Sequence, residues 1–229
     1  MDYTATRDRV EDYFDRSATK VWERLTSDAP VSGIRATVRA GRDRMRRLML
    51  DQLPQDLSGC RVLDAGCGTG AAAVELANRG ADVVAIDISP ALVKIGQDRA
   101  PRTLKGTIDW RSGDMFDAGL GHFDHVIAMD SMIYYTSPDV ARQLAAIGPR
   151  VSGKFVFTLP PRTPLLMAMF GAGKLFPRAD RSPQMVPQNG RAVEKALRQQ
   201  NTQGRVTEIE RIKSSFYIST ALVFEGGAV

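Results

Sequence analysis

The sequence predicts an α/β fold built on a mostly parallel sheet, with a helical segment before it. From residue 60 onward, short runs rich in valine and isoleucine alternate with helical stretches, which is the pattern of a parallel sheet covered on both faces. Residues 1–57 have helical spacing and no strand signal. Two strand-like runs at 205–212 and 216–225, joined by a short polar connection, predict a closing hairpin.

The N-terminal segment, 1–57, is expected to form a cap or arm of two or three helices before a core at 58–229. Bulky apolar residues recur there at helical intervals, namely Val10, Tyr13, Phe14, Val21, Trp22 and Leu25. In the core we predict strands near 60–64, 82–87, 107–111, 123–129 and 153–158 and helices near 70–79, 90–99 and 139–147. One core is the simplest expectation for 229 residues.

A long connection, about 160–203, separates the fifth strand from the hairpin, and connections of this length usually have a function. Its Leu165, Leu166, Met169 and Phe170 fit one apolar helical stripe. We interpret it as a lid over a flat apolar ligand. Contact with a bilayer surface and a satellite core at the sheet edge remain alternatives.

The segment from Asp64 to Gly70 is the most informative motif in the chain. It follows an apolar run and is crowded with Gly66, Gly68 and Gly70, so the backbone can approach a ligand closely before a helix begins. Asp64 lies where a dinucleotide would place its pyrophosphate and would repel it, whereas it would attract a cation. S-adenosylmethionine carries an ammonium and a sulfonium, and Asp87 at the end of the next strand suits its ribose.

Charge and cysteine content give weaker signals. The net charge of +5 makes acidic partners plausible, but the arginines at 35–47 lack interleaved aromatics, which favours a solvated helix face and no nucleic-acid partner. Cys60 and Cys67 are separated by too much extended chain for a disulfide. We therefore expect a cytoplasmic protein, soluble or peripheral to a membrane, because no signal or spanning segment is evident.

The sheet order, the Asp-x-Gly-x-Gly-x-Gly turn and the Ser112-Gly113-Asp114-Met115 segment resemble the class I methyltransferase family that uses S-adenosylmethionine. The resemblance implies a Rossmann-like sheet of seven strands, the last antiparallel. It also implies roles by position. Backbone from Ala65 through Cys67 to Gly68 would hold the methionine part, Asp64 its ammonium, and Asp87 with Ile88 the ribose; Asp114 and Met115 would face the adenine, and Asp130 would border the cofactor.

Three further segments resemble the magnesium-protoporphyrin O-methyltransferase family: Tyr13-Phe14-Asp15 with Trp22, Val38-Arg39-Ala40-Gly41, and the run 123–135. The resemblance implies methyl transfer to one propionate of magnesium protoporphyrin IX in bacteriochlorophyll or chlorophyll synthesis. Delivery by the magnesium chelatase large subunit and peripheral contact with the photosynthetic membrane are further expectations. Chlorophyll-pathway relatives carry histidine where this chain has Tyr134, so no histidine base is carried over.

A propionic acid has a pKa near 4.3 and is already ionised at neutral pH, so Tyr13 and Tyr134 are expected to orient it rather than remove a proton. The competing interpretation of each tyrosine is a core residue whose ring is buried and whose hydroxyl contacts water. Arg39 is expected to bind the cofactor carboxylate or an acidic substrate group, against the alternative of a surface charge. His122 and His125 lie near the start of the fourth strand, the end remote from cofactor chemistry in such sheets, so we expect no metal site there.

Three other functions remain open on sequence alone. A methyltransferase for another small acceptor, such as a quinone precursor, would share every cofactor residue and differ in the cap. An NAD-linked oxidoreductase is disfavoured by Asp64 and by the terminal hairpin. A nonenzymatic cofactor-binding module is the remaining alternative.

Overall fold

The computed structural model describes residues 3–14, 33–164, 166–167, 171, 183–214 and 217–226. Its α-helices are α1 (Tyr3–Tyr13), α2 (Gly33–Leu50), α3 (Ala71–Asn78), α4 (Pro90–Arg99), α5 (Ser137–Ile147) and α6 (Gly190–Gln199). Its strands are β1 (Arg61–Ala65), β2 (Asp82–Asp87), β3 (Thr107–Ser112), β4 (His125–Ala128), β5 (Phe155–Leu159), β6 (Gly204–Ser214) and β7 (Tyr217–Gly226). The alternation predicted from residue 60 is confirmed, with boundaries within a few residues.

The seven strands form one sheet in the order β3-β2-β1-β4-β5-β7-β6. Neighbours are parallel except at β7, which runs antiparallel to both β5 and β6. The predicted class I methyltransferase sheet with an antiparallel last strand is therefore confirmed. Because β1 lies between β2 and β4, the chain reverses its direction of travel across the sheet at β1, and ligands in such sheets bind at the carboxyl ends of the strands beside that point.

Two apolar clusters cover the two faces of the sheet. One face packs on α5 and α6, where Leu144 and Leu197 are fully buried. The other packs on α2 and α3, where Met45, Met49 and Leu76 are fully buried. All five residues of β5 are buried and all but Thr158 are apolar, as expected of a central strand covered on both sides.

Local signals fix the helices that follow the strands. Ser89 accepts a hydrogen bond from the amide of Leu92 and caps α4, which has Pro90 in its first turn. Thr136 and Asp139 form a reciprocal capping box at the start of α5. Each cap begins its helix just after a strand's carboxyl end, and so holds the loops that carry candidate site residues.

The last third of the predicted long connection is the helix α6. Its Val193 and Leu197 are fully buried in the core, and the Asn189 side chain caps it by accepting from the amide of Ala192. Of the predicted lid stripe, Leu166 is described and half-buried. Leu165, Met169 and Phe170 lie outside the described residues, as do Val21, Trp22 and Leu25, so the lid remains a prediction.

None of the helices in the described part of the chain combines the length and the hydropathy that crossing a bilayer requires.

Candidate active site

A cavity of about 300 Å³ lies at the carboxyl ends of β1 to β4, with α1 and α2 forming further walls. That volume is at the lower end of the range for small-ligand pockets. Eleven of the thirteen residues that the sequence singled out line it: Arg39, Asp64, Gly66, Cys67, Gly68, Asp87, Ile88, Asp114, Met115, Asp130 and Tyr134. The structure therefore brings together residues that lie far apart in the chain.

The glycine turn after β1 forms one wall of the cavity. The amides of Gly66 and Cys67 both donate to the carbonyl oxygen of Ile86, at 2.8 and 3.0 Å, which joins the turn to the end of β2. Gly66 has a φ of 80°, and a Cβ there would lie 2.3 Å from the Cβ of Ser131. The turn thus depends on glycine both for its backbone conformation and for its close approach to the loop after β4.

Asp64 is a buried carboxylate in the cavity wall. Among the described residues, its Oδ2 has no hydrogen-bond partner. The pKa of Asp64 is raised to about 7, chiefly by burial and also by the nearby Asp87, against a lowering by the amide of Ala73 and the guanidinium of Arg46. A buried carboxylate oxygen without a donor is costly when ionised, so this position suits the ammonium of a ligand.

Asp87 ends β2 and is only 8% exposed. Its Oδ2 accepts from the amide of Gly68 at 2.8 Å and its Oδ1 from the amide of Ser89 at 2.9 Å. The same carboxylate therefore shapes the glycine turn and the start of α4. A carboxylate has about four acceptor positions, so it can also accept from ribose hydroxyls.

Asp114, after β3, is linked directly to α1. Its Oδ1 accepts from the hydroxyl of Tyr3 at 2.8 Å and from the amide of Phe116 at 2.9 Å, and its Oδ2 accepts from Arg7 at 3.2 Å. The Tyr3 ring also stacks on Tyr135, with 4.9 Å between centroids. The N-terminal helix thus closes over the predicted adenine end of the site.

Asp130 and Tyr134 follow β4 on the opposite side of the cavity. Asp130 forms an ion pair with Arg42 at 2.5 Å and accepts from Tyr217 at 3.1 Å and from Thr158 at 3.1 Å. Burial raises the pKa of Tyr134 well above its usual value, and the charges of Asp130 and Tyr13 raise it further, against a lowering by Arg42. Tyr134 therefore keeps its proton at neutral pH and can act as a hydrogen-bond donor.

Ala65 and Tyr13 do not line the cavity. Ala65 is fully buried at the end of β1, and its carbonyl oxygen accepts from Ser131 at 2.7 Å. Tyr13 is half-buried at the end of α1 beside Phe14, which does line the cavity. Because the charge of Tyr13 acts on the pKa of Tyr134, Tyr13 lies within electrostatic range of the site. Its assignment to an orienting role remains a prediction.

The cavity residues that were missed from the sequence include two sets on the helices α1 and α2. One face of α1 contributes Tyr3, Arg7, Val10 and Phe14, which recur at helical spacing. Val10 and Phe14 belong to the apolar pattern that predicted this helix, whereas Tyr3 and Arg7 do not. The other set is Arg42 and Arg46 on α2. The expectation of a solvated basic face is wrong for both, since each side chain is 20% exposed and paired with acids. Their spacing from Arg39, three and seven residues, was the available signal.

Comparison with known proteins agrees with this geometry. A family model described as the magnesium-protoporphyrin IX methyltransferase C-terminus matches residues 128–225, and a methyltransferase-domain model matches residues 62–150. The chain is 53% identical over 224 residues to a magnesium-protoporphyrin O-methyltransferase of Rhodobacter capsulatus, which covers 97% of this chain and 98% of the relative. A ubiquinone biosynthesis O-methyltransferase of Xanthomonas oryzae is 32% identical over 131 residues, 54% of each chain.

The fold is also that of a solved magnesium protoporphyrin IX methyltransferase from Synechocystis with bound S-adenosylhomocysteine. The TM-score is 0.76 at 24% identity, with 97% of this chain and 99% of that one covered. The match to the Rhodobacter relative extends through the N-terminal helices that complete the cavity, beyond the sheet that many methyltransferases share. The chain therefore belongs to the magnesium-protoporphyrin O-methyltransferase family.

Proposed function

We propose that this protein transfers a methyl group from S-adenosylmethionine to one propionate carboxylate of magnesium protoporphyrin IX, giving the monomethyl ester. The observation that carries the proposal is the cavity itself. It places three carboxylates, Asp64, Asp87 and Asp114, along the ends of successive strands, and it faces them with the protonated hydroxyl of Tyr134. The 53% identity to the Rhodobacter relative, over nearly the whole of both chains, supports the same conclusion.

The residues present fit the cofactor. Asp64, whose buried Oδ2 has no donor among the described residues, would hold the ammonium. Asp87 would accept from the ribose hydroxyls, and Asp114 would accept from the adenine amino group beside the thioether of Met115. When bound, S-adenosylmethionine supplies an electrophilic methyl group on a sulfonium, and the electron pair of the broken carbon–sulfur bond stays on sulfur.

The acceptor needs alignment more than activation. An ionised propionate forms the new oxygen–carbon bond with its own lone pair, so no proton has to leave during the step. Tyr134 donates a hydrogen bond that fixes one carboxylate oxygen, and Tyr13 assists from the end of α1. Holding the two reactants in line can account for roughly 7 to 11 kcal/mol of barrier lowering.

Two finer parts of the proposal concern the surroundings of the enzyme. We propose that residues about 160–203 include the substrate lid, and that the protein receives its poorly soluble porphyrin at a membrane surface or from the magnesium chelatase large subunit. The support is the apolar stripe that begins at Leu165 together with the net charge of +5, which favours anionic surfaces. Cosedimentation with vesicles of anionic and of neutral lipid tests the membrane contact.

The direct test is incubation of the purified protein with magnesium protoporphyrin and methyl-labelled S-adenosylmethionine, with the porphyrin product read by mass. The expected result is one added methyl group that is lost on alkaline hydrolysis, as an ester requires. A parallel reaction with a catechol precursor of ubiquinone tests the alternative acceptor. Methylation of that catechol without methylation of the porphyrin would overturn the proposal while leaving the cofactor site intact.

A further inference from the structure

The helix α2 presents arginines to the cavity. Arg39, Arg42 and Arg46 lie on one face of the helix and line the cavity wall. The helix packs closely on β7 at Gly41, where an added Cβ would lie 2.9 Å from the ring of Tyr217. This close approach brings the neighbouring Arg42 next to the loop that follows β4.

Arg42 is held in a fixed position by a network that joins four elements. Its Nη1 bonds to Oδ2 of Asp130 at 2.5 Å, and the two side chains are 20% and 9% exposed. Asp130 is itself held by the hydroxyls of Tyr217 on β7 and Thr158 on β5. Asp130 adopts a φ of 56°, a left-handed conformation that is uncommon for a residue other than glycine. A guanidinium anchored in this way is already in place before a ligand arrives.

The anchored Arg42 lies close enough to Tyr134 to affect its titration. Burial has the largest effect on the pKa of Tyr134 and raises it, whereas the charge of Arg42 lowers it. The guanidinium therefore lies within electrostatic range of the hydroxyl that orients the reacting carboxylate. By contrast, Arg46 acts on the pKa of Asp64 and bonds to Glu75 and Asp43, which places it at the ammonium end of the cofactor site.

Magnesium protoporphyrin carries two propionates on the same edge of the macrocycle, and only one becomes an ester. Building on the function proposed above, we propose that Arg42 binds the second propionate while Tyr134 orients the first. A guanidinium offers five N–H donors in a planar fork, so Arg42 can serve Asp130 and a substrate carboxylate together. Arg42 is then a specificity-determining residue for a dicarboxylate acceptor.

This arrangement explains why the reaction would stop at the monoester. For a second methylation, the monoester must turn so that its remaining carboxylate faces the methyl donor. Its ester then faces Arg42, and a neutral ester replaces the carboxylate of a charge-assisted contact. The loss of one such contact corresponds to roughly 10- to 100-fold in kcat/KM, which disfavours the diester.

The test compares kcat/KM for magnesium protoporphyrin with kcat/KM for its monomethyl ester, using the diester as the second product. The variants are Arg42→Met, Arg42→Lys and the double variant Arg42→Met with Asp130→Asn, which avoids leaving a buried carboxylate without its cationic partner. Arg44→Gln is the matched control, because Arg44 lies on the same helix, is 61% exposed and pairs with Glu210. Binding of S-adenosylhomocysteine and thermal unfolding verify that each variant is folded.

We expect Arg42→Met and the double variant to lower kcat/KM for the diacid by about 10- to 100-fold, mainly through KM, with the monoester little affected. The ratio of kcat/KM for the diacid to kcat/KM for the monoester then falls by the same factor. Arg42→Lys should retain part of this ratio, and Arg44→Gln should retain all of it. Equal losses on the two substrates, including complete loss on both in a folded variant, would show that Arg42 only anchors α2. A wild-type protein that does not methylate the diacid at all would instead overturn the proposed function.

Discussion

The amide of Gly68 donates a 2.8 Å hydrogen bond to Oδ2 of Asp87, so the acid that ends β2 also shapes the turn that follows β1. Its Oδ1 accepts from the amide of Ser89, and the carboxylate is almost fully buried. One side chain thus connects the two loops that would enclose the cofactor. Its removal should affect both the ligand and the loops.

Asp87→Ala is expected to weaken S-adenosylhomocysteine binding by about 2 to 3 kcal/mol, because the ribose acceptor and the support of the turn are lost together. Isothermal titration calorimetry measures the affinity. Asp87→Asn, which keeps one acceptor oxygen, should lose less. Asp82→Ala is the matched control, since Asp82 begins the same strand and is exposed. Unchanged affinity in a folded Asp87→Ala protein would contradict the assignment.

Cofactor affinity is expected to depend on the protonation of Asp64. Its pKa is raised to about 7, and only the ionised carboxylate pairs with an ammonium. Between pH 7 and pH 6 the affinity for S-adenosylhomocysteine should therefore fall by about fivefold. Asp64→Asn should bind weakly with no such dependence over this interval. The same slope in the variant and in the wild type would assign the titration to another group.

The same shift predicts that Asp64 limits the stability of the ligand-free protein. A carboxyl whose folded pKa lies above its unfolded value of about 3.9 binds more protons in the folded state between the two values, so the free energy of unfolding falls as pH rises through that interval. Asp64→Asn should therefore match the wild type near pH 4. The free energy of unfolding of the variant should exceed that of the wild type by a growing amount towards pH 7. Above pH 7 the difference should reach roughly 2 to 4 kcal/mol. Urea unfolding at several pH values, without ligand, measures the difference.

Much of the fold followed from local patterns, because each strand, turn and cap is encoded by adjacent residues. The glycines of the Asp64 to Gly70 segment predict its turn, and the runs of valine and isoleucine predict the strands. Helix α6 was less evident. Its apolar spacing at Val193, Ala196 and Leu197 was hidden within a connection interpreted as one insertion, although α6 is part of the core.

The site was harder to predict where it depends on distant contacts. The hydrogen bond between Tyr3 and Asp114 joins residues that are 111 positions apart in the sequence, and the ion pair between Arg42 and Asp130 joins residues that are 88 positions apart. A row of arginines on a helix has the same sequence pattern whether its acidic partners lie in a cavity or solvent covers it. The packing of Gly41 on Tyr217, together with the burial of Met45 and Met49, turns that row inward, and the acidic partners that it meets there lie far away in the sequence.

The link between α1 and Asp114 is expected to hold the N-terminal helix over the cavity. Tyr3→Phe removes the hydroxyl that donates to Asp114 but keeps the ring that stacks on Tyr135. The loss of one partly buried hydrogen bond to a carboxylate should weaken the docking of α1 by about 1.5 to 3 kcal/mol. Hydrogen exchange should accelerate in α1 and remain unchanged in α5.

Arg9→Gln is the matched control for that measurement, because Arg9 lies on the same helix, is exposed, and donates hydrogen bonds to Ala5 and Thr6 of α1. Equal exchange in Tyr3→Phe and Arg9→Gln would mean that the hydroxyl contributes nothing to docking. The helix would then be held by its remaining contacts, which are the ion pair of Arg7 with Asp114, the ring of Tyr3 on Tyr135 and the apolar side chains of Val10 and Phe14.

The last prediction separates orientation from proton abstraction. Burial keeps the pKa of Tyr134 well above neutral pH, so we expect the hydroxyl to donate a hydrogen bond rather than to act as a base. Tyr134→Phe should lower kcat by roughly 10- to 100-fold, the effect of one lost hydrogen bond to a charged group, with the shape of the pH profile unchanged. Tyr13→Phe should behave in the same way. If both tyrosines act on one carboxylate, the double variant should lose less than the product of the single losses.

A general base would give a different result. Its removal should abolish the limb of the pH profile that reports its titration and reduce turnover far more than one hydrogen bond does. Full activity in the double variant would remove both tyrosines from the acceptor site. Cofactor binding, for which we propose Asp64, Asp87 and Asp114, should remain near the wild-type level in Tyr134→Phe, Tyr13→Phe and the double variant, and calorimetry with S-adenosylhomocysteine tests this before rates are compared.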